Sequence, residues 1–382
     1  MEETMKRIMA AIVGAVLVAG AAQAETLNFS VGMGPNSSIT KAVNAYAERV
    51  EAATDGEVKI KVFPLELVGL PEMAPGIRDG LTDIGYMATP YFPSEFAHSN
   101  FLAELSMALN LFEGVSGIAG NAYAGAMTEF ITTKCPECLA EFKAQNHVYM
   151  GHMSTSPYSL LCNGDVKTID DLKGKRLRAG GAVFKRFSEH FGAVGVQLPA
   201  NEAYEALSQG VLDCAILSVP ELTNYRLQDV VTSVTLGVPG NVFGGTVSGN
   251  FNRDVWAGLT PEQREDIFKE QARLASDMTF TYASEQERNL KETKDLGKSV
   301  YTPDAEMQAA LKDFAMADQD VVAKLFAENY GVDDAAEMQA EFLTVLERWL
   351  DLVKDVKNAE ELAKIYWTKN YSKLDPNGYG LD

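Results

Sequence analysis

Histidine is scarce in this chain, with four residues among 382, and so are cysteine, with four, and tryptophan, with three. Few imidazoles leave little material for a histidine-rich metal centre or for general acid–base chemistry. Basic residues are also short: 33 Lys and Arg stand against 53 Asp and Glu, a formal charge of −20. So acidic a surface argues against nucleic acid and against an anionic membrane face as partners. No Gly-x-Ser-x-Gly motif occurs. Gly32-x-Gly34-x-x-Ser37 lacks the third glycine of a dinucleotide fingerprint and has Pro35 in its way. Beyond the N-terminus no apolar run is long enough to span a bilayer, and no low-complexity stretch or linker divides the chain.

The N-terminus reads as an export signal. Lys6 and Arg7 form a positive region, Ile8 to Ala19 is apolar, and Ala22-Gln23-Ala24 is a small-residue cleavage site. The expectation is a signal peptide over 1–24, cleaved after Ala24, and a soluble periplasmic protein. Translation starts at Met1 or Met5. Cleavage leaves the charge unchanged, because Glu2 and Glu3 cancel Lys6 and Arg7.

In an oxidising compartment Cys135, Cys138, Cys162 and Cys214 allow three pairings. Cys135–Cys138 reads as a local link. Cys162 and Cys214 sit in strand-like segments and are either a second bridge or buried thiols. Two other uses of these residues define an alternative function, an exported thiol–disulfide enzyme on Cys135-Pro-Glu-Cys138 or a zinc enzyme adding His147 and His152. The expectation is against both, with no metal, no cofactor and no catalytic residue. His190 reads as a solvated position on an amphipathic helix.

Periodicity gives the architecture. Leu27 to Met33 alternates as a strand, a Gly-Pro-Asn-Ser-Ser turn follows, and Ile39, Val43, Tyr46, Val50 and Ala53 recur at helical spacing. Val58 to Phe63 is a strand, Glu72 to Asp79 a helix and Thr82 to Met87 a strand. The series repeats from Val148 to Cys162, broken near Ser154–Pro157, through a strand at Lys175–Ala179, helices at Ala182–Phe191 and Asn201–Gln209, and a strand at Leu212–Leu217. Gly76-Ile-Arg-Asp-Gly80-Leu-Thr-Asp83 and Ala206-Leu-Ser-Gln-Gly210-Val-Leu-Asp213 echo each other as helix end, glycine cap, two residues and aspartate. From Thr260-Pro261-Glu262-Gln263 a helix runs to about Leu296, long enough to lie along two lobes. Further helix spans 304–356 with a break near Gly331.

The expected fold class is therefore α/β: two similar lobes with a cleft between them, mostly parallel sheets, hinge crossings and a long helix spanning both lobes. The expected boundaries are 25–155 with 243–285 for lobe I, 156–242 with 286–345 for lobe II, and 346–382 for a C-terminal helical tail. In such sheets ligands gather at strand carboxyl ends.

Arg178 ends a strand before Gly180-Gly181 and a helix, where a guanidinium beside a helix N-terminus can grip a carboxylate. Tyr86, Thr89 and Tyr91 follow a first-lobe strand and offer aromatic faces. Asn36 and Ser37 open the first helix. Ser218 ends a second-lobe strand, with Asn224 and Tyr225 behind it. Phe243 and Asn250 lie where the chain returns to the first lobe.

Thr168-Ile-Asp-Asp-Leu-Lys-Gly-Lys-Arg-Leu-Arg178 resembles the s-x-x-D-L-K-G-x-K-x-R passage of TRAP transporter solute-binding proteins of the DctP type. Asn201-Glu-Ala-Tyr-Glu-Ala-Leu-Ser-Gln-Gly-Val-Leu-Asp213 resembles their s-E-x-Y-x-A-L-q-x-G-x-v-D passage. The likeness covers nearly the whole mature chain. It implies a two-lobed periplasmic binding protein fold and a binding protein that takes a small organic anion into an interlobe cleft and hands it to a TRAP permease, with Arg178 on the ligand carboxylate. A receptor module presenting ligand to a sensor is the rival within the binding class. Where many members read G-Q-E-N-P, this chain has Cys214-Ala-Ile-Leu-Ser218-Val-Pro220, so Ser218 is the nearest polar substitute. Some members carry a second arginine twenty residues before the first, where Tyr158 stands. One cation in place of two implies a monoanion with an apolar or aromatic body. The resemblance leaves oligomeric state open between a monomer and a dimer formed through C-terminal helices.

Overall fold

The computed structural model describes residues 25–381, so the expected signal peptide lies outside the described residues. Twelve strands form two six-stranded sheets. The first comprises β1 (Glu25–Val31), β2 (Val58–Pro64), β3 (Ile84–Ala88), β4 (His147–Val148), β5 (His152–Met153) and β11 (Thr246–Asn252). The second comprises β6 (Tyr158–Cys162), β7 (Arg176–Ala179), β8 (Val194–Gln197), β9 (Cys214–Ser218), β10 (Ser233–Thr235) and β12 (Ser299–Tyr301). Helices α1 (Ser38–Ala53), α2 (Met73–Arg78), α3 (Ala97–Glu104), α4 (Ala119–Lys134), α5 (Pro136–Ala144) and α9 (Arg253–Gly258) go with the first sheet. Helices α6 (Ala182–His190), α7 (Ala203–Ser208) and α8 (Glu221–Asn224) go with the second. The chain ends in α10 (Pro261–Asp295), α11 (Ala305–Tyr330), α12 (Ala335–Val353) and α13 (Ala359–Lys369).

The echo in the sequence is a repeat in the structure. Gly80 and Gly210 both take positive φ, 75° and 66°, which glycine adopts without a Cβ penalty. Leu81 N–H bonds the Gly76 carbonyl and Val211 N–H the Ala206 carbonyl, closing the helices in the same way. The Asp83 carboxylate accepts from the Asn28 amide at 2.7 Å, and that of Asp213 from the Arg176 amide at 2.8 Å. Each aspartate thereby ties its strand to the neighbouring parallel one.

The sheets are mixed rather than mostly parallel. β1/β2, β1/β3, β7/β8, β7/β9 and β10/β12 are parallel. β11 runs against β3, β4 and β5, and β6 runs against β9 and β10. β6 and β11 are the strands that follow a crossing between the lobes. They enter their sheets from the opposite end, and the two-residue period of a strand is the same for either direction.

The two crossings lie side by side. Tyr158 N–H donates to the Asn241 carbonyl at 2.8 Å, Phe243 N–H to the Thr155 hydroxyl at 3.0 Å, and the Ser154 hydroxyl to the Phe243 carbonyl at 3.3 Å. Thr260 and Gln263 form a capping box at the start of α10, with Pro261 in the first turn. This 35-residue helix packs Ile267 to Tyr282 into the first lobe and Leu290 against the second. A domain expectation is corrected here. Met307, Leu311, Phe314 and Ala315 pack in the second lobe, but Val322, Phe326, Met338, Phe342 and Val345 pack in the first. α11 thus joins the lobes a second time, and α12 belongs to the first. Helical periodicity marks an apolar face without saying which sheet receives it.

Cys135 bonds Cys138 and Cys162 bonds Cys214. The second bridge joins residues directly opposite in the antiparallel β6/β9 ladder.

Candidate ligand-binding site

Arg178 stands on β7 between β8 and β9 and is only 1 % exposed. Its Nε donates to the Leu198 carbonyl at 2.8 Å. One terminal nitrogen donates to the Ile216 carbonyl at 3.4 Å and the other to the Tyr91 hydroxyl at 3.1 Å. These are neutral oxygens, and Arg178 makes no ion pair among the described residues. The neighbouring backbone is shaped to it: a Cβ on Gly180 would lie 2.6 Å from both terminal nitrogens.

The guanidinium lines a small cavity of about 30 Å³ between the sheets. Tyr86, Tyr91, Tyr158, Tyr225, Tyr282 and Phe243 supply rings, and Leu70, Ala88, Thr155, Ala200, Leu217, Glu221 and Thr246 complete the lining. Tyr158 stacks on Phe184 at 5.0 Å and on Phe243 at 6.0 Å, so the lining rings are themselves braced. Tyr91 also lines an open cleft of about 300 Å³ with Gly180, Gly181 and Leu198, so this residue borders both spaces.

Glu221, the first residue of α8, is 4 % exposed. The Tyr282 hydroxyl donates to its Oε1 at 2.7 Å, while Oε2 is buried without a hydrogen-bond partner. Burial pushes its carboxyl up to about 7, against the pull of the Tyr282 hydroxyl, the nearby Asn224 amide and the Arg178 charge. Asn224 also bridges the lobes, its Oδ1 accepting from Ser38 N–H at 3.1 Å and from the Ser38 hydroxyl at 3.3 Å.

Of the sequence candidates, the structure brings together Arg178, Tyr158, Tyr86, Tyr91, Tyr225 and Phe243. The others lie outside the lining. Thr89 spends its hydroxyl on the Gly245 carbonyl at 3.1 Å. Ser37 caps α1 by accepting from Thr40 N–H, and Asn36 beside it is exposed. Ser218 is buried next to lining Leu217, its hydroxyl without a partner. The Asn250 carboxamide accepts from Met150 N–H within the first sheet. Glu221, Tyr282, Thr155 and Thr246 were not read from the sequence. A Pro-Glu pair at a helix start looks like an acid placed for the helix dipole.

The thiol and zinc alternatives are not favoured. The 135–138 disulfide is buried, out of reach of a substrate thiol. His147 Nε2 pairs with the Ala74 carbonyl and His152 Nδ1 with the Tyr149 hydroxyl. A larger groove of about 540 Å³ lies between α5 and the C-terminal segment, but its lysines, Lys143 and Lys373, are solvent-exposed.

Residues 29–329 match the DctP model, which describes bacterial extracellular solute-binding proteins of family 7. The chain belongs to that family. Among curated relatives it is similar to the outer membrane transporter protein TsaT of Comamonas testosteroni, 25% identical over 261 residues, 68% of this chain and 73% of the relative. Among solved structures this DctP-family chain resembles a marine metagenome TRAP solute-binding protein specific for aromatic acid ligands, in complex with 3-hydroxybenzoate. The TM-score is 0.71 at 20% identity, covering 88% of this chain and all of that one. It also resembles a TRAP solute-binding protein from Rhodoferax ferrireducens T118 with copurified benzoate, TM-score 0.72 at 18% identity, 86% and 99% covered. A third, from Bordetella bronchiseptica with bound (R)- and (S)-mandelate, gives 0.70 at 19%, with 85% and 99% covered. At these identities the structural likeness establishes the two-lobed fold.

Proposed function

We propose that the chain captures a small carboxylate with an aromatic or apolar body in the cavity at Arg178 and delivers it, outside the cytoplasm, to the membrane permease of a TRAP transporter. The observation that carries this reading is the buried Arg178 guanidinium, held by neutral oxygens and without an ion pair among the described residues. A buried unpaired charge is costly, by several kcal/mol in general. A carboxylate offsets that cost through two parallel charge-assisted hydrogen bonds. The ring-lined walls favour an aromatic body over a polyhydroxylated one. The ligands named for the similar structures, 3-hydroxybenzoate, benzoate and mandelate, are of this kind.

About 30 Å³ holds roughly two waters by the ~15 Å³ one needs. A benzoate-sized solute therefore enters with the lobes apart, and closure around it excludes water and strengthens the ion pair. The test is a thermal-shift screen of residues 25–382 against aromatic acids, keto acids and sulfonates, repeated on Arg178→Ala. A ligand at a hundred times its Kd adds about 2.7 kcal/mol of stability. A shift that disappears in the variant supports the reading. A shift that persists removes Arg178 from the site, and no shift with any acid sinks the proposal.

A further inference from the structure

We infer that Glu221 is a second recognition point of this cavity, and that the solute carries, besides its carboxylate, a hydroxyl or N–H donor that Glu221 Oε2 accepts. The inference rests on the reading of Arg178 as the carboxylate anchor and adds a chemical requirement to it.

Three observations carry it. Glu221 lines the same cavity as Arg178, and the two form no ion pair among the described residues, so they present two separate polar points to one solute. The side chain is 4 % exposed; Oε1 is fixed by the Tyr282 hydroxyl at 2.7 Å, the Asn224 amide also acts on the carboxyl, and Oε2 completes no hydrogen bond among the described residues. A carboxylate oxygen has two lone-pair sites, and on a residue that lines a cavity an unfilled one is a place for a donor from outside, with the Asn224 amide beside it. Finally, the carboxyl is held from both lobes. Tyr282 comes from α10 in the first lobe, and Asn224, three residues on along α8, is tied to Ser38 of the first lobe. The free oxygen therefore has a fixed direction once the lobes close.

Between the two polar points the walls are rings, chiefly Tyr86, Tyr158, Tyr225 and Phe243. The solute class that satisfies both ends and the middle is a hydroxy- or amino-substituted aromatic acid. A site built to bond a ligand hydroxyl rejects the analogue without it far more strongly than an apolar pocket rejects an added one, because the protein's own polar group is then left stranded.

The experiment pairs each hydroxyl with a methyl of similar size. Calorimetry measures 3- and 4-hydroxybenzoate against 3- and 4-methylbenzoate on wild type, Glu221→Leu, Glu221→Gln and Arg178→Ala. Wild type is expected to prefer at least one hydroxy acid over its methyl twin by tenfold or more. Glu221→Leu should erase or reverse that preference. Glu221→Gln keeps an acceptor for Tyr282, guards against a folding defect, and should lose most of the preference, since an amide nitrogen cannot accept. Equal affinities for both twins in wild type, or a preference that survives Glu221→Leu, overturns the inference and leaves the carboxylate reading standing if Arg178→Ala still abolishes binding. If Arg178→Ala binds like wild type, or wild type binds none of the four acids, both readings fall together.

Discussion

Tyr91 and Arg178 stand on opposite lobes and meet across the cleft, the guanidinium donating a 3.1 Å hydrogen bond to the tyrosine hydroxyl. The same hydroxyl accepts from Ala200 N–H, also at 3.1 Å. One oxygen of the first lobe thus collects two donors of the second, and its residue borders both the cavity and the open cleft. Tyr91→Phe keeps the ring and removes the tie. Ligand affinity is expected to fall about tenfold, mostly through faster release, because each lost hydrogen bond to a charged donor weakens the closed form. Stopped-flow dissociation checks this, and an unchanged release rate would contradict it.

Gly180 owes its identity to the guanidinium beside it. A Cβ there would meet both terminal nitrogens of Arg178 at 2.6 Å, closer than such atoms approach. Gly180→Ala should displace the guanidinium and cut ligand affinity at least tenfold, with little change in melting temperature in the absence of ligand. Equal affinity in the two proteins would show that the side chain can move aside without loss.

Arg186 of α6 makes a buried bridge to two elements. It donates to both oxygens of Asp318 on α11 at 2.6 and 2.9 Å, and to Glu104 on α3 at 2.8 Å. Burial raises the Glu104 carboxyl, with Arg186 holding it down. Arg186→Met leaves two carboxylates facing each other and is expected to cost about 3–5 kcal/mol in urea unfolding. Adding Glu104→Gln and Asp318→Asn should recover most of the loss. A single variant as stable as wild type would contradict the assignment.

The 162–214 disulfide closes a loop of 52 residues within the second lobe. Chain-entropy reasoning puts its contribution at about 4 kcal/mol. The Cys162→Ser, Cys214→Ser double variant should lose that much in equilibrium unfolding, and wild type in reductant should follow it. Removal of the 135–138 link should cost less, because it closes a loop of only a few residues.

Much of this was legible before any coordinates. The Gly80 and Gly210 caps with their aspartates follow from local chemistry that acts within a few residues, and so does the place of Arg178 at a strand end before two glycines. Glu221 was not legible. Its burial and its partner come from Tyr282, 61 residues away on a helix that reaches it only after both lobes are assembled. Ser218 and Thr89 carried the right chemistry for a site, but side-chain direction at a strand end is set by tertiary packing. The antiparallel crossings and the return of α12 to the first lobe escaped for a related reason: periodicity marks which face is apolar, not which neighbour covers it.

His147 and His152 give a test of that burial through pH. Desolvation lowers His147 to about 4 and His152 to about 3, from about 6.5 when exposed. As pH falls below 6.5 the unfolded chain takes up protons that the native imidazoles refuse. The stability each contributes is therefore complete above pH 6.5, drains as pH falls, and is gone below about 4 for His147 and about 3 for His152, on the order of 3 kcal/mol or more apiece. Other groups work the other way. Glu221, raised to about 7, favours the native state as pH falls from 7 toward 4.5; His98, raised by its bond to Glu141, and Glu104, raised by burial, also gain their protons first in the native state. The wild-type profile is thus a sum of opposed slopes, and the informative quantity is a difference. His152→Asn, which retains an acceptor near the Tyr149 hydroxyl, should melt less steeply with acid than wild type between pH 6.5 and 4.5, whatever its melting temperature at neutral pH. Parallel profiles for the two proteins would mean that His152 takes up its proton in the native state as readily as in the unfolded one.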